Sequence, residues 1–280
     1  MIREARRGDH AQLKALWTGV FGDAPEAVDA YFSLRHRDED MLVWAEDGRI
    51  GGMLSMLPLK LALGEREYPA RYIYAVATAL DRRGRGVAGQ LLERAGERIA
   101  ERGEAAAALV PASESLFGYY AKRGFRTAFS LSVADFDARA LPPPPGGEVA
   151  GCSAGEYARI RDRAFAGGGL YARWDERAVG YALHALGDGG AARLMFGGGE
   201  GAACWSRAGG TVLVRELALV GIDVPSALAL LNRELGASSY RVRLPAGAIP
   251  GAEVAPFGMI RWYIPEPEVE APGYLSLALD

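Results

Sequence analysis

The segment 140–148, ALPPPPGGE, constrains the fold of this 280-residue chain more than any other feature. Proline has no backbone N–H donor and a fixed φ, so neither a helix nor a sheet continues through four prolines in a row. A chain of this length is typically long enough for two domains. The sequence therefore predicts one domain over residues 1–139, a linker over 140–148 and a second domain over 149–280.

Composition excludes several classes of protein. Half of the residues are hydrophobic and the net charge is −3, which is typical of a soluble globular protein and argues against general binding to nucleic acid. No apolar run approaches the ~20 residues that a membrane-spanning helix needs, and the N-terminus lacks the apolar core of a secretory signal. We therefore expect a cytoplasmic protein with no membrane and no nucleic-acid partner.

Cysteine and histidine give no sign of a metal site. Cys152 and Cys204 are far apart and are expected to be free thiols in a reducing compartment, although a bridge between them stays an alternative. His10, His36 and His184 are scattered without metal-ligand spacing. The sequence therefore predicts no metal.

The first half combines helices and strands. Asp9 is expected to cap a first helix and Pro25 to open a second. The pair Asp47-Gly48 between two apolar runs predicts a hairpin, and REYPARYIYAVATAL predicts a further strand. One face of that strand is expected to hold Tyr72, Tyr74, Val76 and Thr78, and the other Ile73, Ala75 and Ala77. An amphipathic helix from Val87, a short strand, a helix capped by Ser113 and another strand follow, so the fold class is α+β leaning to α/β.

The second half repeats this order in outline. A strand (VLVRELALVG), a helix (VPSALALLNRELG) and a strand (SYRVRLPA) follow one another at the equivalent place, without a repeat in the letters. The last segment, GYLSLALD, alternates Leu275, Leu277 and Leu279 and predicts a paired strand.

The segment ALDRRGRGVAGQLL, 79–92, places a turn of arginine and glycine between a strand and a helix. The first turn of a helix has unpaired N–H groups and a dipole that favours an anion, and glycine lets the backbone approach a ligand closely. No Gly-Lys-Ser/Thr follows, so this is not a Walker A loop, and Gly84-x-Gly86-x-x-Gly89 lacks the context of a dinucleotide fingerprint. A solvated loop is the simpler alternative, but the flanking strand and helix favour a phosphate or pyrophosphate site.

Two motifs carry a resemblance to a known family. Arg83-Gly84-Arg85-Gly86-Val87-Ala88 resembles the R/Q-x-x-G-x-G/A signature of the GNAT superfamily of acyl-CoA-dependent N-acetyltransferases, and YYAKRGF, 119–125, resembles its Tyr-x-Lys-x-Gly-Phe segment. The resemblance covers residues 1–135, and the two-part chain is similar to the tandem-GNAT proteins of the enhanced-intracellular-survival type, but shorter. It implies a GNAT fold, with a mixed, mostly antiparallel central sheet flanked by helices, followed by a second, degenerate GNAT-like domain.

The resemblance also implies acetyl-CoA as the co-substrate. Backbone groups at the end of the strand would bind pantetheine, and the loop would hold the pyrophosphate. The residues implied to bind the cofactor are Val76, Ala77, Thr78, Arg83, Gly84, Arg85, Gly86, Val87, Ala88, Gly89, Ser115 and Leu116.

Catalytic roles follow from the same resemblance. Tyr120 would be the general acid that protonates the thiolate leaving group, while Tyr119 is expected to pack. The general base is open between Glu114, which also fits as a charge at a helix N-terminus, and the C-terminal carboxylate of Asp280.

The predicted function is therefore transfer of an acetyl group from acetyl-CoA to a primary amine of a small molecule or peptide. The first alternative is a non-catalytic acyl-CoA-binding or regulatory protein, because the second half lacks the arginine–glycine turn. An RNA-gripping loop is the second alternative. The sequence does not decide the acceptor, the acyl-chain preference or the oligomeric state, and a homo-oligomer stays open.

Overall fold

The structure, a computed structural model, describes residues 1–279. Its helices are α1 (His10–Phe21), α2 (Pro25–Leu34), α3 (Val87–Glu101), α4 (Glu114–Ala121), α5 (Ala154–Phe165), α6 (Glu176–His184) and α7 (Val224–Leu235). Its strands are β1 (Ile2–Glu4), β2 (Met41–Glu46), β3 (Arg49–Leu63), β4 (Arg66–Thr78), β5 (Ala106–Leu109), β6 (Arg126–Asp137), β7 (Gly147–Gly151), β8 (Tyr171–Arg173), β9 (Gly190–Phe196), β10 (Gly199–Ala208), β11 (Thr211–Val220), β12 (Ser239–Pro245) and β13 (Val254–Trp262). Within residues 1–279, no helix is both long and apolar enough to span a membrane.

One mixed sheet joins the strands of both halves. Its order is β1-β2-β3-β4-β5-β13-β6-β12-β11-β10-β9-β7, and β8 adds to the edge of β3. Neighbours are antiparallel except β4 with β5 and β11 with β12, and the chain between each of these pairs forms a helix, α3 and α7 respectively. The mostly antiparallel sheet flanked by helices confirms the predicted fold class, and the strand–helix–strand unit does recur in the second half.

Several local signals in the sequence match the elements they predicted, whereas Asp9 precedes α1 without capping it, because its carboxylate binds Arg3. Asp47 and Gly48 both have positive φ, 50° and 75°, as the tight hairpin turn between β2 and β3 requires. Pro25 is the first residue of α2. Cys152 and Cys204 are free thiols, as expected.

The strand β13 occupies a place that the sequence did not indicate. It comes from beyond the proline run, yet it lies between β5 and β6, pairing Met259–Trp262 with β5 and Val254–Ile260 with β6. The strand β6 pairs in turn with β12 on its other side. The four prolines lie outside every helix and strand, but the sheet runs across both halves, so the domain boundary at 140–148 stays a prediction.

The last described segment is buried but is not a strand. Only Gly273 and Tyr274 form isolated bridges, and a turn follows in which Leu277 has a φ of 57°. The predicted paired strand is therefore wrong, because the turn interrupts the alternation of leucines. Asp280 lies outside the described residues.

A buried ion pair lies under this segment. Arg161 of α5 and Glu216 of β11 are 1 % and 0 % exposed, and Arg161 Nε lies 3.0 Å from Glu216 Oε2. Arg161 also donates hydrogen bonds to the carbonyl oxygens of Ala172 and Ser276. The pair therefore connects helix, sheet and tail in the second half.

Candidate active site

The strands β4 and β5 separate in the middle of the sheet. Their parallel ladder pairs Ala70–Tyr72 with Ala106–Ala108 and then ends, whereas β4 continues to Thr78. Beyond Tyr72, the backbone edge of β4 that faces β5 is therefore outside the ladder. This is an edge to which an extended ligand can add like a strand.

A bulge in β4 changes which side chains face which layer. Ala75 has a φ of 50°, and the register with β3 shifts between Met53 and Ser55. An extra residue in one strand reverses the alternation after it. Tyr72, Tyr74, Ala75 and Ala77 pack in one core layer, and Ile73 and Val76 pack with α3 in the other. The predicted assignment of faces is therefore wrong for Ala75, Val76 and Ala77.

The arginine–glycine turn stands open at the N-terminus of α3. Gly84 and Gly86 have φ of 78° and 74°, which side chains rarely adopt, and Gly86 is the N-cap residue. The first intrahelical bond runs from the Gln90 N–H to the Gly86 carbonyl at 3.0 Å. The N–H groups of the first turn have no partner within the helix, so they form a site that suits an anion.

The arginines of the turn differ in what they contact. Arg82 forms an ion pair with Glu46 at 3.0 Å, and Arg85 lies 3.7 Å from the same carboxylate while remaining 56 % exposed. Arg83 is exposed. Arg83 and Arg85 can therefore turn toward an anion at little cost.

A further cation, Arg123, lies beside this turn, and the sequence analysis did not identify it. Its guanidinium group stacks on the Tyr119 ring at 3.6 Å and donates to the Tyr119 carbonyl at 2.8 Å. A Cβ built on Gly89 would lie 3.1 Å from Arg123 Nη2, so the guanidinium group lies beside the first turn of α3. Only the packing of α4 against α3 reveals this contact.

Tyr120 lies in the apolar layer between α3, α4 and the sheet. It is 8 % exposed, and its ring contacts those of Tyr119 and Phe125. It belongs to the apolar cluster that also holds Leu92 and Met259. Burial, with a smaller effect of Tyr119, raises the pKa of Tyr120 to about 12, so the phenol is protonated at neutral pH.

The other predicted residues of α4 lie at its exposed start. Glu114 and Ser115 are exposed and Leu116 is half-buried. Ser113 is the N-cap residue, but its hydroxyl contacts that of Ser115 at 3.0 Å and does not cap the helix. Glu114 is six residues before Tyr120, which corresponds to about 9 Å along a helix, so the structure does not bring them together.

Aromatic side chains cover the face of β4 opposite α3. The ring centroid of Tyr74 lies 5.6 Å from that of Trp17 and 5.8 Å from that of Tyr31, and Tyr31 contacts Tyr181 of α6. The Tyr72 hydroxyl donates to the Leu279 carbonyl at 3.0 Å. The second half therefore contributes a helix and its last described residues to this face.

The equivalent junction of the second half is closed to an anion. Asp223 caps α7, and its carboxylate accepts hydrogen bonds from the Ser226 N–H at 2.8 Å and the Ser226 hydroxyl at 2.9 Å. A carboxylate thus already occupies the helix N-terminus where a phosphate would bind.

Histidines that are far apart in the sequence meet in the structure. His10 and His36 both contact Asp38, while His184 lies apart on α6. The expectation of scattered histidines is wrong for His10 and His36. The helices α1 and α2 form a hairpin, which brings the start of α1 next to the end of α2.

Comparison with known proteins agrees with this geometry. Residues 1–128 match the family model described as the acetyltransferase (GNAT) domain. This match covers 128 of the 280 residues, and over them the chain resembles a GNAT domain. No curated protein matches the sequence.

Solved structures share the fold over nearly the whole chain. A GCN5-related N-acetyltransferase from Anabaena variabilis has a TM-score of 0.77 at 15% identity, over 93% of this chain and 72% of that one. A probable N-acyltransferase from Enterococcus faecalis has a TM-score of 0.74 at 15% identity, over 94% and 72%. Eis1 from Mycobacterium abscessus has a TM-score of 0.69 at 18% identity, over 94% and 73%. The fold of both halves together is thus the one seen in Eis1.

Proposed function

We propose that this protein is an N-acetyltransferase that moves an acetyl group from acetyl-CoA to a primary amine. The observation that carries the proposal is the combination of two features at one end of the sheet. The strands β4 and β5 separate there, and an open glycine turn precedes α3 beside the same strand end. A long, thin ligand with a pyrophosphate at one end suits both features.

The donor would bind along β4 and the first turn of α3. Backbone groups of Val76, Ala77 and Thr78 would pair with the amide groups of pantetheine, since this edge lies outside the ladder. The first-turn N–H groups would hold the pyrophosphate, with Arg83 and Arg85 adding positive charge. A backbone N–H next to the bulge would stabilise the oxyanion that forms when the amine attacks the thioester.

Tyr120 would then protonate the leaving thiolate. Its raised pKa keeps the proton in place before the reaction. The amine must lose a proton before it attacks. Glu114 and Asp280 both stay candidates for that base, directly or through water.

The acceptor would approach the opposite face of β4. Aromatic rings of both halves meet there, with Tyr181 supplied by α6. We propose that the second half is a degenerate GNAT-like domain that shapes the acceptor side of β4. Its own helix N-terminus, at α7, is already occupied by the carboxylate of Asp223.

The test of this function is release of the CoA thiol from acetyl-CoA in the presence of amines. An aminoglycoside, a polyamine, free amino acids and peptides with a free N-terminus form the panel, and acetylated product is identified by mass spectrometry. We expect at least one acceptor to give product. Tight binding of acetyl-CoA without turnover on any amine would favour the alternative of a non-catalytic acyl-CoA-binding protein.

The arginine–glycine turn before α3 can be tested separately through its effect on the binding of acetyl-CoA. The double variant Arg83→Ala/Arg85→Ala should weaken the binding of acetyl-CoA, measured by calorimetry, by roughly tenfold or more, because charge-assisted hydrogen bonds to the pyrophosphate are lost. Gly86→Val should also weaken binding, because a β-branched residue is strained at the φ of 74°. Arg139→Ala is the matched control, since this side chain is 90% exposed and remote from the turn in sequence. Equal affinities for the wild type and both loop variants would exclude the assigned site.

A further inference from the structure

Three potential metal ligands converge at the outer end of the α1–α2 hairpin. His10 Nε2 lies 2.7 Å from Asp38 Oδ1, and His36 Nε2 lies 2.8 Å from the same oxygen. The three ligand atoms lie within 4.8 Å of one another. His10 opens α1 and His36 follows α2, so the cluster is formed by the fold and not by sequence spacing.

The described side-chain hydrogen bonds of Asp38 come only from the two histidines. The His36 side chain is only 4% exposed, and its ring packs against Phe32 at 4.6 Å. Its Nδ1 atom is buried without a partner. Both rings share one carboxylate oxygen, and within residues 1–279 no lysine or arginine forms an ion pair with Asp38. An ion bound at the two Nε2 atoms would give Nδ1 no partner, so the convergence of the other ligand atoms is the observation that supports a metal site.

We propose that His10, His36 and Asp38 bind one divalent transition-metal ion of the zinc type. Two imidazoles and a carboxylate form a donor set that such ions prefer over calcium or magnesium. Tetrahedral coordination at about 2.0–2.1 Å separates ligand atoms by about 3.3 Å. The ligand pairs at 2.7 and 2.8 Å therefore need to open by roughly half an ångström on metal binding.

The surroundings allow this small movement. The side chains of His10 and Asp38 are 33% and 34% exposed, so both can adjust, and an ion can reach them from solvent. His36 is held by its packing and serves as the fixed ligand. Water would supply the fourth ligand.

The ion would act by closing the α1–α2 hairpin. It would tie the start of α1 to the segment after α2, which stabilises the folded state because the site does not exist in the unfolded chain. These helices carry Trp17 and Tyr31, whose rings pack against Tyr74 on β4. This role is independent of acetyl transfer, so either proposal can fail without the other.

The experiment uses the untagged full-length protein after removal of metals with a chelator. Co²⁺ is titrated while the visible absorption of tetrahedral Co²⁺ is followed, and Zn²⁺ is then added in competition. We expect one Co²⁺ per chain, displacement by Zn²⁺, and a rise in Tm of about 5 °C at a hundredfold excess of Zn²⁺ over its Kd.

Two variants assign the ligands. Asp38→Asn keeps the size and hydrogen-bonding capacity of the side chain, and His10→Gln changes a partly exposed residue. Both should fold normally without metal by circular dichroism, yet lose the cobalt spectrum and the Zn²⁺-dependent rise in Tm. His184→Gln is the control and should behave like the wild type. Absence of cobalt binding to the wild type, or unchanged binding in both ligand variants, would overturn the proposal.

Discussion

Replacing Tyr120 by phenylalanine should lower the turnover of acetyl transfer by about a hundredfold or more, while the affinity for acetyl-CoA stays within a few-fold of the wild type. A positioned general acid typically contributes 10²–10⁴-fold to a rate. The substitution removes only the hydroxyl, and the ring contacts with Tyr119 and Phe125 remain. The loss should therefore appear in kcat, measured by release of the CoA thiol, and not in calorimetric binding of the donor.

Tyr119→Phe is the matched control for this effect. Tyr119 precedes Tyr120 on the same helix, and its ring carries the stacked guanidinium group of Arg123, which the phenylalanine ring retains. We expect this variant to keep nearly full turnover. Equal losses in the two variants, or full activity in Tyr120→Phe, would remove the role assigned to Tyr120.

The pH dependence gives a second test of the same residue. Burial raises the pKa of Tyr120 to about 12, so the protonated acid is present throughout the neutral range and is lost only as pH rises through that value. We expect kcat to show no fall on the alkaline side below roughly pH 10. A fall in the kcat of the wild type near pH 9, absent from Tyr120→Phe, would contradict a raised pKa of Tyr120.

Replacing Arg161 by methionine should cost about 3–5 kcal/mol of unfolding free energy, because it leaves the Glu216 carboxylate buried without its partner. Glu216 is 0% exposed, and its pKa is already raised by burial against the opposing effect of Arg161. Denaturant unfolding followed by circular dichroism measures the loss. A value below 1 kcal/mol would show that the pair contributes little here.

The sign of the pH dependence follows from the raised pKa of Glu216. A carboxyl group whose folded pKa lies above its unfolded value of about 4.3 contributes stability that is fully present below that value and is lost as pH rises through the folded pKa. Removing Arg161 should raise the folded pKa further. The difference in unfolding free energy between the wild type and Arg161→Met should therefore be larger at pH 8 than at pH 5.

Two control variants distinguish the effect of the lost ion pair on stability from the effect of lost packing. The double variant Arg161→Met/Glu216→Leu should be more stable than Arg161→Met, because no unpaired charge remains in the core. Arg139→Ala removes an exposed arginine paired with Asp137 and should leave stability unchanged. A double variant as unstable as the sum of its single variants would show that packing and not charge explains the loss.

Local chemistry in the sequence determined the elements of the first half and the place of its arginine–glycine turn. Glycine at 84 and 86 allows the positive φ values that the turn before α3 needs, and the apolar spacing of Val87, Leu91, Ala95 and Ile99 determines the buried face of that helix. These signals act over a few residues, so a single sequence reveals them. The hairpin at Asp47-Gly48 and the repeated strand–helix–strand order were likewise predicted from such local signals.

Only the tertiary structure decided how distant segments meet. The insertion of β13 between β5 and β6, the bulge at Ala75, the stacking of Arg123 beside α3 and the meeting of His10 and His36 at Asp38 all depend on contacts across the sheet or between helices. The turn at Leu277 likewise ended a strand that the leucine spacing predicted. Periodicity shows which side of an element is buried, but pairing, register and long-range contact are set by the packing of the whole chain.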